Sequence, residues 1–273
     1  MLHEGGALPL ADALRPDWPA PASVGALMST RAGGVSAEPF ASLNLRPPRL
    51  RGDSVDDVQA VHENQRRFAI ALGATPVYLD QVHGARVVRI GAGDVAADAP
   101  MHRADAAVCT EPGVACTVLV ADCLPVLFAA PHGRAVGAAH AGWRGLAAGV
   151  LDATVDAVCG LSQCEPGELV AWFGACIGPR RFEVGADVLN AFGPLASSHF
   201  VEQAARGHSD RRPRWLADLP GLARDRLLLL GVSQVSGGRW CTVEDASRFF
   251  SFRRDRVTGR HAAAVWIRGA PVC

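Results

Sequence analysis

The chain has 273 residues, room for one large domain or two small ones, and its 27 basic side chains balance its 27 acidic ones. That balance gives no ground for a nucleic-acid surface or for adhesion to a membrane. Lysine is absent, so every basic residue is arginine, and Schiff-base, Walker and pyridoxal-phosphate lysine chemistry are excluded. Eight cysteines without C-x-x-C spacing are too sparse for a disulfide scaffold. The N-terminus lacks a basic start followed by an apolar core, and no window reaches membrane-spanning length. The expectation is a reduced, soluble, cytoplasmic protein.

Residues 1–23 carry four prolines and little periodicity, which predicts an arm laid over the surface ahead of a single domain from 24 to 273. Val24 to Met28 reads as a first strand. It leads into Thr30-Arg31-Ala32-Gly33-Gly34-Val35-Ser36, a glycine-containing loop with one arginine. Such a loop can turn backbone N–H groups towards an anion while Arg31 adds a bidentate contact; the alternative is an ordinary tight turn with a solvated arginine. Ser42-Leu43-Asn44-Leu45 follows, one amide among apolar neighbours. Asp53 to Leu72 is the clearest helix, with Asp53 or Ser54 as its cap and Gly73 as its end. Its stripe runs through Val58, Val61, Gln65, Phe68, Ala69 and Leu72. Strands are expected at Val77 to Val82, Arg86 to Ile90 and Ala104 to Cys109, the first running out into Gln81-Val82-His83-Gly84.

Chemistry concentrates between Thr117 and Val150. An apolar run from Thr117 to Ala121 has the length and β-branching of a buried strand and stops on Asp122-Cys123. A second run, Pro125 to Ala130, turns at Pro131-His132-Gly133. A third, Ala135 to Ala139, stops on His140, just before Ala141-Gly142-Trp143-Arg144-Gly145. A helix from Arg144 to Cys159 follows, whose first turn and Arg144 could face an anion. His83, Cys123 and His140 are thus each expected at a strand end, and zinc takes nitrogen and sulfur donors brought together from separate elements. Asp122 should point away from Cys123, which leaves it a supporting role at most. Beyond lie an expected strand from Leu169 to Ile177, helices Ala186 to Phe192 and Leu219 to Leu230, and a surface loop from Gln203 to Arg214. Arg239 to Val243, Phe249 to Arg253 and His261 to Ile267 read as closing strands. The order predicts one mixed α/β sandwich rather than a strict βαβ fold.

Seven pieces, in order, resemble the laccase-domain or polyphenol-oxidase (YfiH-type) family. They are Thr30 to Ser36, Ser42 to Leu45, Gln81 to Gly84, Ala121 to Pro125, His140 to Gly145, Cys176-Ile177-Gly178-Pro179, and Phe249 to Asp255. The resemblance implies a single-domain α/β/β/α sandwich with mixed β-sheets and a zinc ion (Zn2+) held by His83, Cys123 and His140. It also implies purine nucleoside phosphorylase activity on adenosine, inosine and methylthioadenosine, with adenosine deaminase activity besides. A multicopper laccase reading fits poorly, since the nine histidines contain no His-x-His pair.

Two imidazoles and one thiolate leave zinc an open position, as catalytic rather than structural zinc has. On this reading Arg31 and Arg144 hold phosphate, and Asn44 hydrogen-bonds base or ribose. A cysteine hydrolase, with Cys123 as nucleophile and His140 or His83 as base, uses the same residues without metal. A purely structural zinc in a binding module lacks a clear fourth protein ligand.

Overall fold

The computed structural model describes residues 10–50, 55–96, 98–203 and 213–269. In chain order its strands are β1 (Val24–Met28), β2 (Thr75–Val77), β3 (Val87–Arg89), β4 (Ala106–Cys109), β5 (Val114–Val120), β6 (Leu124–Ala129) and β7 (Val136–Ala141). There follow β8 (Val170–Phe173), β9 (Glu183–Val184), β10 (Phe200–Gln203), β11 (Arg214–Ala217), β12 (Gln234–Gly237) and β13 (His261–Ile267). The helices are α1 (Val58–Leu72), α2 (Trp143–Ala147), α3 (Val150–Ser162), α4 (Ala186–Phe192), α5 (Leu219–Leu229) and α6 (Phe252–Asp255).

Alternation along the strands sorts apolar residues into three cores. One sheet has the order β1-β13-β5-β2 and a second the order β12-β8-β6-β7-β4-β3; each mixes parallel and antiparallel pairs. Val118, Val120, Ala263 and Val265 of the first sheet meet Leu127, Ala129, Val136 and Ala138 of the second in the core between them. The other parity of β13, Ala262, Ala264 and Trp266, faces Phe68 and Leu72 of α1. The other parity of β6, Leu124, Val126 and Phe128, faces Val150, Val155 and Val158 of α3 and Leu222 and Leu227 of α5. Helix, sheet, sheet, helix is therefore the layer order, the expected sandwich of mixed sheets. A short third sheet, β10-β11-β9, adds to one side.

Local chemistry sets several boundaries away from those expected. Helix α1 starts at Val58, where the Asp57 side chain accepts from Ala60 N at 2.8 Å, and stops at Gly73 with φ 63°. The expected caps Asp53 and Ser54 lie outside the described residues, as do 1–9 of the N-terminal arm. The rest of that arm is anchored, with Leu10 and Leu14 buried and Leu14 bridged to Met28. The single helix expected from Arg144 to Cys159 is two, because Gly149 adopts φ 89° between α2 and α3. Gln203 and Arg214, expected in a loop, instead close two paired strands. The Phe249–Arg253 strand is replaced by α6, which Ser251 caps through Arg254 N at 3.2 Å. No strand spans Arg239–Val243, although Cys241 bridges Cys176; β12, which was not expected, completes the second sheet beside β8.

β13 opens on His261, which is fully buried. Its Nε2 accepts from Phe250 N at 2.7 Å, and the Phe249 and Phe250 rings lie against it. Burial, with help from the nearby Arg31 and Arg260 charges, holds its pKa down at about 3. The unfolded chain therefore takes up a proton at this position near pH 6.5 that the folded chain refuses. The stability associated with His261 is present in full above pH 6.5 and is lost as pH falls from there towards 3, by up to about 1.4 kcal/mol per pH unit. Urea midpoints measured between pH 7 and 5 should fall for the wild type and flatten for His261→Gln. A parallel fall in both would remove His261 as the cause.

Candidate functional site

Three elements deliver the metal-capable side chains, and one carboxylate organises two of them. After β2 the chain runs irregularly, fastened to β5 by Gln81, whose side chain donates to Leu119 O at 2.9 Å and accepts from Leu119 N at 2.7 Å. The next three backbone N–H groups, of Val82, His83 and Gly84, all donate to the Asp105 carboxylate, at 3.1, 2.8 and 2.7 Å. The left-handed φ of 60° at His83 belongs to this turn. His83 thus sits in a loop past the end of its strand, with its ring exposed.

His140 lies inside β7 rather than beyond it and is 3% exposed. Its backbone N donates to Asp105 O at 2.7 Å, and its Nδ1 is 2.9 Å from Asp105 Oδ1. With the proton on Nδ1 donated to that carboxylate, Nε2 is left as the ligand atom, the arrangement that orients metal-bound histidines.

Cys123 stands where the chain crosses from β5 in one sheet to β6 in the other. The crossing requires φ 101° at Asp122, a region costly for a residue with a side chain. The Asp122 carboxylate accepts from Thr242 Oγ1 at 2.5 Å and from Arg253 N at 2.6 Å, which ties α6 to the crossing. Gly142 then passes so close that a Cβ there would lie 2.9 Å from Cys123 Sγ and 3.1 Å from His83 Cδ2.

The ligand atoms of His83, Cys123 and His140 lie within 4.8 Å of one another, with Cys123 Sγ 3.8 Å from His83 Nε2. Ligand atoms around a tetrahedral zinc stand roughly 3.5 Å apart, from bond lengths of about 2.0–2.3 Å. The donors present fit a metal ion after a small contraction. Among the described residues this is the one such group, so they offer no second ligand cluster of the kind a multicopper oxidase needs.

Electrostatics readies the Cys123 sulfur for a metal, whereas His140 must release a proton to bind one. Burial pushes the Cys123 thiol up, but His140 and His83 outweigh it and hold the pKa down at about 6. Burial pushes His140 the other way from its partners, the Cys123 sulfur and the Asp105 carboxylate, which raise it. Asp105 stays below the usual carboxylate range despite its burial, because His140 and the backbone N–H groups of Gly84 and Val82 donate to it.

The group opens on a cleft of about 730 Å3 that also contains five arginines, Arg46, Arg144, Arg253, Arg256 and Arg260. Leu79, Leu119, Ile177 and Leu219 supply an apolar wall. The structure brings His83, Cys123, His140 and Arg144 together here. Arg144 is exposed, its guanidinium 4.3 Å from the Trp143 ring centroid. Arg31 and Asn44 are not part of this lining. Arg31 donates from Nε to Ala41 O at 2.9 Å and from a terminal nitrogen to Ala246 O at 3.0 Å. Asn44 is buried and fully engaged with Asp56 and with two backbone N–H groups. Asp122, expected to point away from Cys123, lies outside both strands and lines the same cleft, its carboxylate bonded to Thr242 and Arg253. Asp105, Arg46 and Arg260 went unread in the sequence. A lone carboxylate inside the apolar run from Ala104 to Cys109 was the available signal for the first, since a buried charge needs partners.

The family model described as multi-copper polyphenol oxidoreductase laccase matches residues 25–268. A Pseudomonas aeruginosa protein named purine nucleoside phosphorylase PA4543 is 50% identical, over 93% of this chain and 98% of its own. One from Escherichia coli K12 named purine nucleoside phosphorylase YfiH is 45% identical, over 92% and 97%. The solved structure of a Neisseria meningitidis protein of the DUF152 family superposes with a TM-score of 0.82 at 42% identity, covering 94% of this chain and 99% of that one.

Asp105→Asn keeps the size of the side chain but turns an amide N–H2 towards donors. Affinity for a divalent metal should fall roughly 10- to 100-fold, as for other lost partners of ligating histidines, in competition against a chelator. Unchanged metal affinity would assign Asp105 to the fold alone.

Proposed function

The chain belongs to the multi-copper polyphenol oxidoreductase laccase family, the YfiH or DUF152 group, and on that footing we propose that it is a zinc-dependent purine nucleoside phosphorylase. Its substrates on this reading are adenosine, inosine and methylthioadenosine together with inorganic phosphate, and adenosine deamination is a second reaction of the same cleft. The observation that carries the proposal is a three-ligand metal-capable group opening on an arginine-rich cleft.

Zinc bound by His83, Cys123 and His140 would supply a Lewis acid with an open coordination position. The remaining requirements fall on the chain's own side chains. Phosphorolysis joins phosphate to the anomeric carbon while the purine leaves with the electron pair of the glycosidic bond. Guanidinium groups neutralise the entering phosphate dianion and hold it in place, and their charge is worth more in a cleft that excludes water. Arg144, at the rim, is assigned to substrate or phosphate. The wall of Leu79, Leu119, Ile177 and Leu219 buries the base and sugar and keeps water from competing with phosphate.

A second reading has support in the lowered pKa of Cys123 and its 3.8 Å approach to His83 Nε2: a cysteine hydrolase with Cys123 as nucleophile and a histidine base. Phosphate dependence separates the two. The zinc-loaded protein incubated with inosine or adenosine should release free purine only when phosphate is present, with ribose-1-phosphate formed in equal amount. Release at the same rate without phosphate, giving free ribose, would overturn the phosphorylase reading. Cys123→Ala should lose both the metal and the activity; retention of a full complement of zinc in that variant would remove the cysteine from the site.

A further inference from the structure

Two cysteines outside the cleft stand close enough to react with each other. Helix α3 ends on a left-handed residue, Gln163 (φ 53°, ψ 50°), whose backbone N donates to Cys159 O. Cys164 N donates to the same carbonyl at 3.3 Å, so the chain folds back over the last turn and carries Cys164 to Cys159. Their Sγ atoms lie 3.9 Å apart. Ser162 Oγ donates to Val158 O at 2.7 Å and lies 3.1 Å from Cys164 Sγ, which keeps that sulfur over the helix end. Bonded sulfurs stand about 2.05 Å apart, and a turn about χ1 sweeps a sulfur through more than the difference.

The other described cysteines are otherwise placed. Cys109, Cys116 and Cys176 are buried, Cys123 belongs to the metal-capable group, and Cys241 Sγ accepts from Gly178 N at 3.2 Å. Cys159 and Cys164 are both partly exposed, and neither lines the cleft. A Cβ at neighbouring Gly160 would meet nothing within 4 Å, which leaves open space beside the pair for a small reagent. The two thiols are not equivalent. Burial and the adjacent Cys164 push the Cys159 thiol well above its usual range, with Asp156 and Glu165 adding to the rise. Cys159 is therefore the resting thiol and Cys164 the one that attacks. Once the Cys164 sulfur is joined to another sulfur it carries no charge, and its repulsion of a Cys159 thiolate disappears.

We propose that Cys159 and Cys164 form a reversible dithiol–disulfide site at the C-terminus of α3, oxidised by low-molecular-weight disulfides. The Cys164 thiol loses its proton and attacks one sulfur of the reagent. The reagent's disulfide bond breaks, one thiolate leaves, and a mixed disulfide remains on Cys164. Cys159 then gives up its proton and attacks the Cys164 sulfur, expelling the second thiolate. Both cysteines are oxidised and the reagent is reduced to two thiols, whose protons balance those the cysteines release. In a reducing compartment such a disulfide is transient and reports the redox state. The site is independent of the phosphorylase reading.

Incubation of the zinc-loaded protein with oxidised glutathione, followed by acid quenching, intact-mass measurement and peptide mapping, decides the point. The wild type should lose the mass of two hydrogen atoms and yield a peptide linked between Cys159 and Cys164. Excess reduced glutathione should restore both thiols. Cys159→Ser should stop at a single glutathione adduct on Cys164. Cys164→Ser should form an adduct on Cys159 at least ~10-fold more slowly, because the thiolate is the nucleophile and Cys159 holds its proton. A wild type that keeps its thiols, that stops at adducts without the internal link, or whose link joins other cysteines overturns the proposal. Equal rates of adduct formation in the two serine variants overturn the assignment of Cys164 as the attacking thiol. If a serine variant fails to fold, the mass and peptide map of the wild type still decide whether the pair closes.

Discussion

The carboxylate of Asp105 is fully buried and accepts from three consecutive backbone N–H groups and from one imidazole, and the placement of two metal-capable side chains follows from those bonds. A buried charge is tolerable only when it is fully satisfied, and here its satisfaction has a geometric result. The turn that carries exposed His83 is wrapped around the carboxylate, and the ring of buried His140 is aimed by it. Cys123 arrives independently, through the strained crossing at Asp122. The third donor is therefore brought to a pair whose spacing is already set.

Much of this was legible in the residues, and the rest was not for identifiable reasons. Long alternating runs declared themselves: β13 and α4 have the bounds their patterns predict. The three donors were recognisable because imidazole and thiolate groups recur at the ends of apolar runs, and zinc takes nitrogen and sulfur ligands from separate elements. Arg31 and Asn44 looked like ligands for an equally local reason, a polar side chain in a glycine loop or among leucines. Their actual bonds reach Ala246 and Arg260, contacts that no window of sequence contains. The α2–α3 break was hidden because a glycine among alanines reads as a weak helical position until its φ is known. α6 was mistaken for a strand because its aromatic residues favour pleated structure, whereas the Ser251 cap and the Asp122 bond to Arg253 N decide for a helical turn.

Arginine suits the cleft for more than composition. The guanidinium keeps its charge at any pH where a thiol or an imidazole changes protonation, so the positive side of the cleft holds steady. Aromatic neighbours temper these charges: Trp143 lies under Arg144, and Phe252 lies within 6 Å of both Arg256 and Arg260. Phe252 itself is 46% exposed, an aromatic surface available inside an otherwise cationic opening.

The crossing at Asp122 has one further result. The strands before and after it belong to opposite sheets, while His140 comes from the second sheet and the His83 turn is fastened by Gln81 to the first. An ion gripping all three donors would therefore rivet one layer of the sandwich to the other. Its binding would be thermodynamically linked to the register of the two layers, so that saturation with metal resists shearing of the whole molecule. Conversely, a cavity opened deep in the inter-sheet core, far from any ligand, would be felt first as a looser hold on the ion.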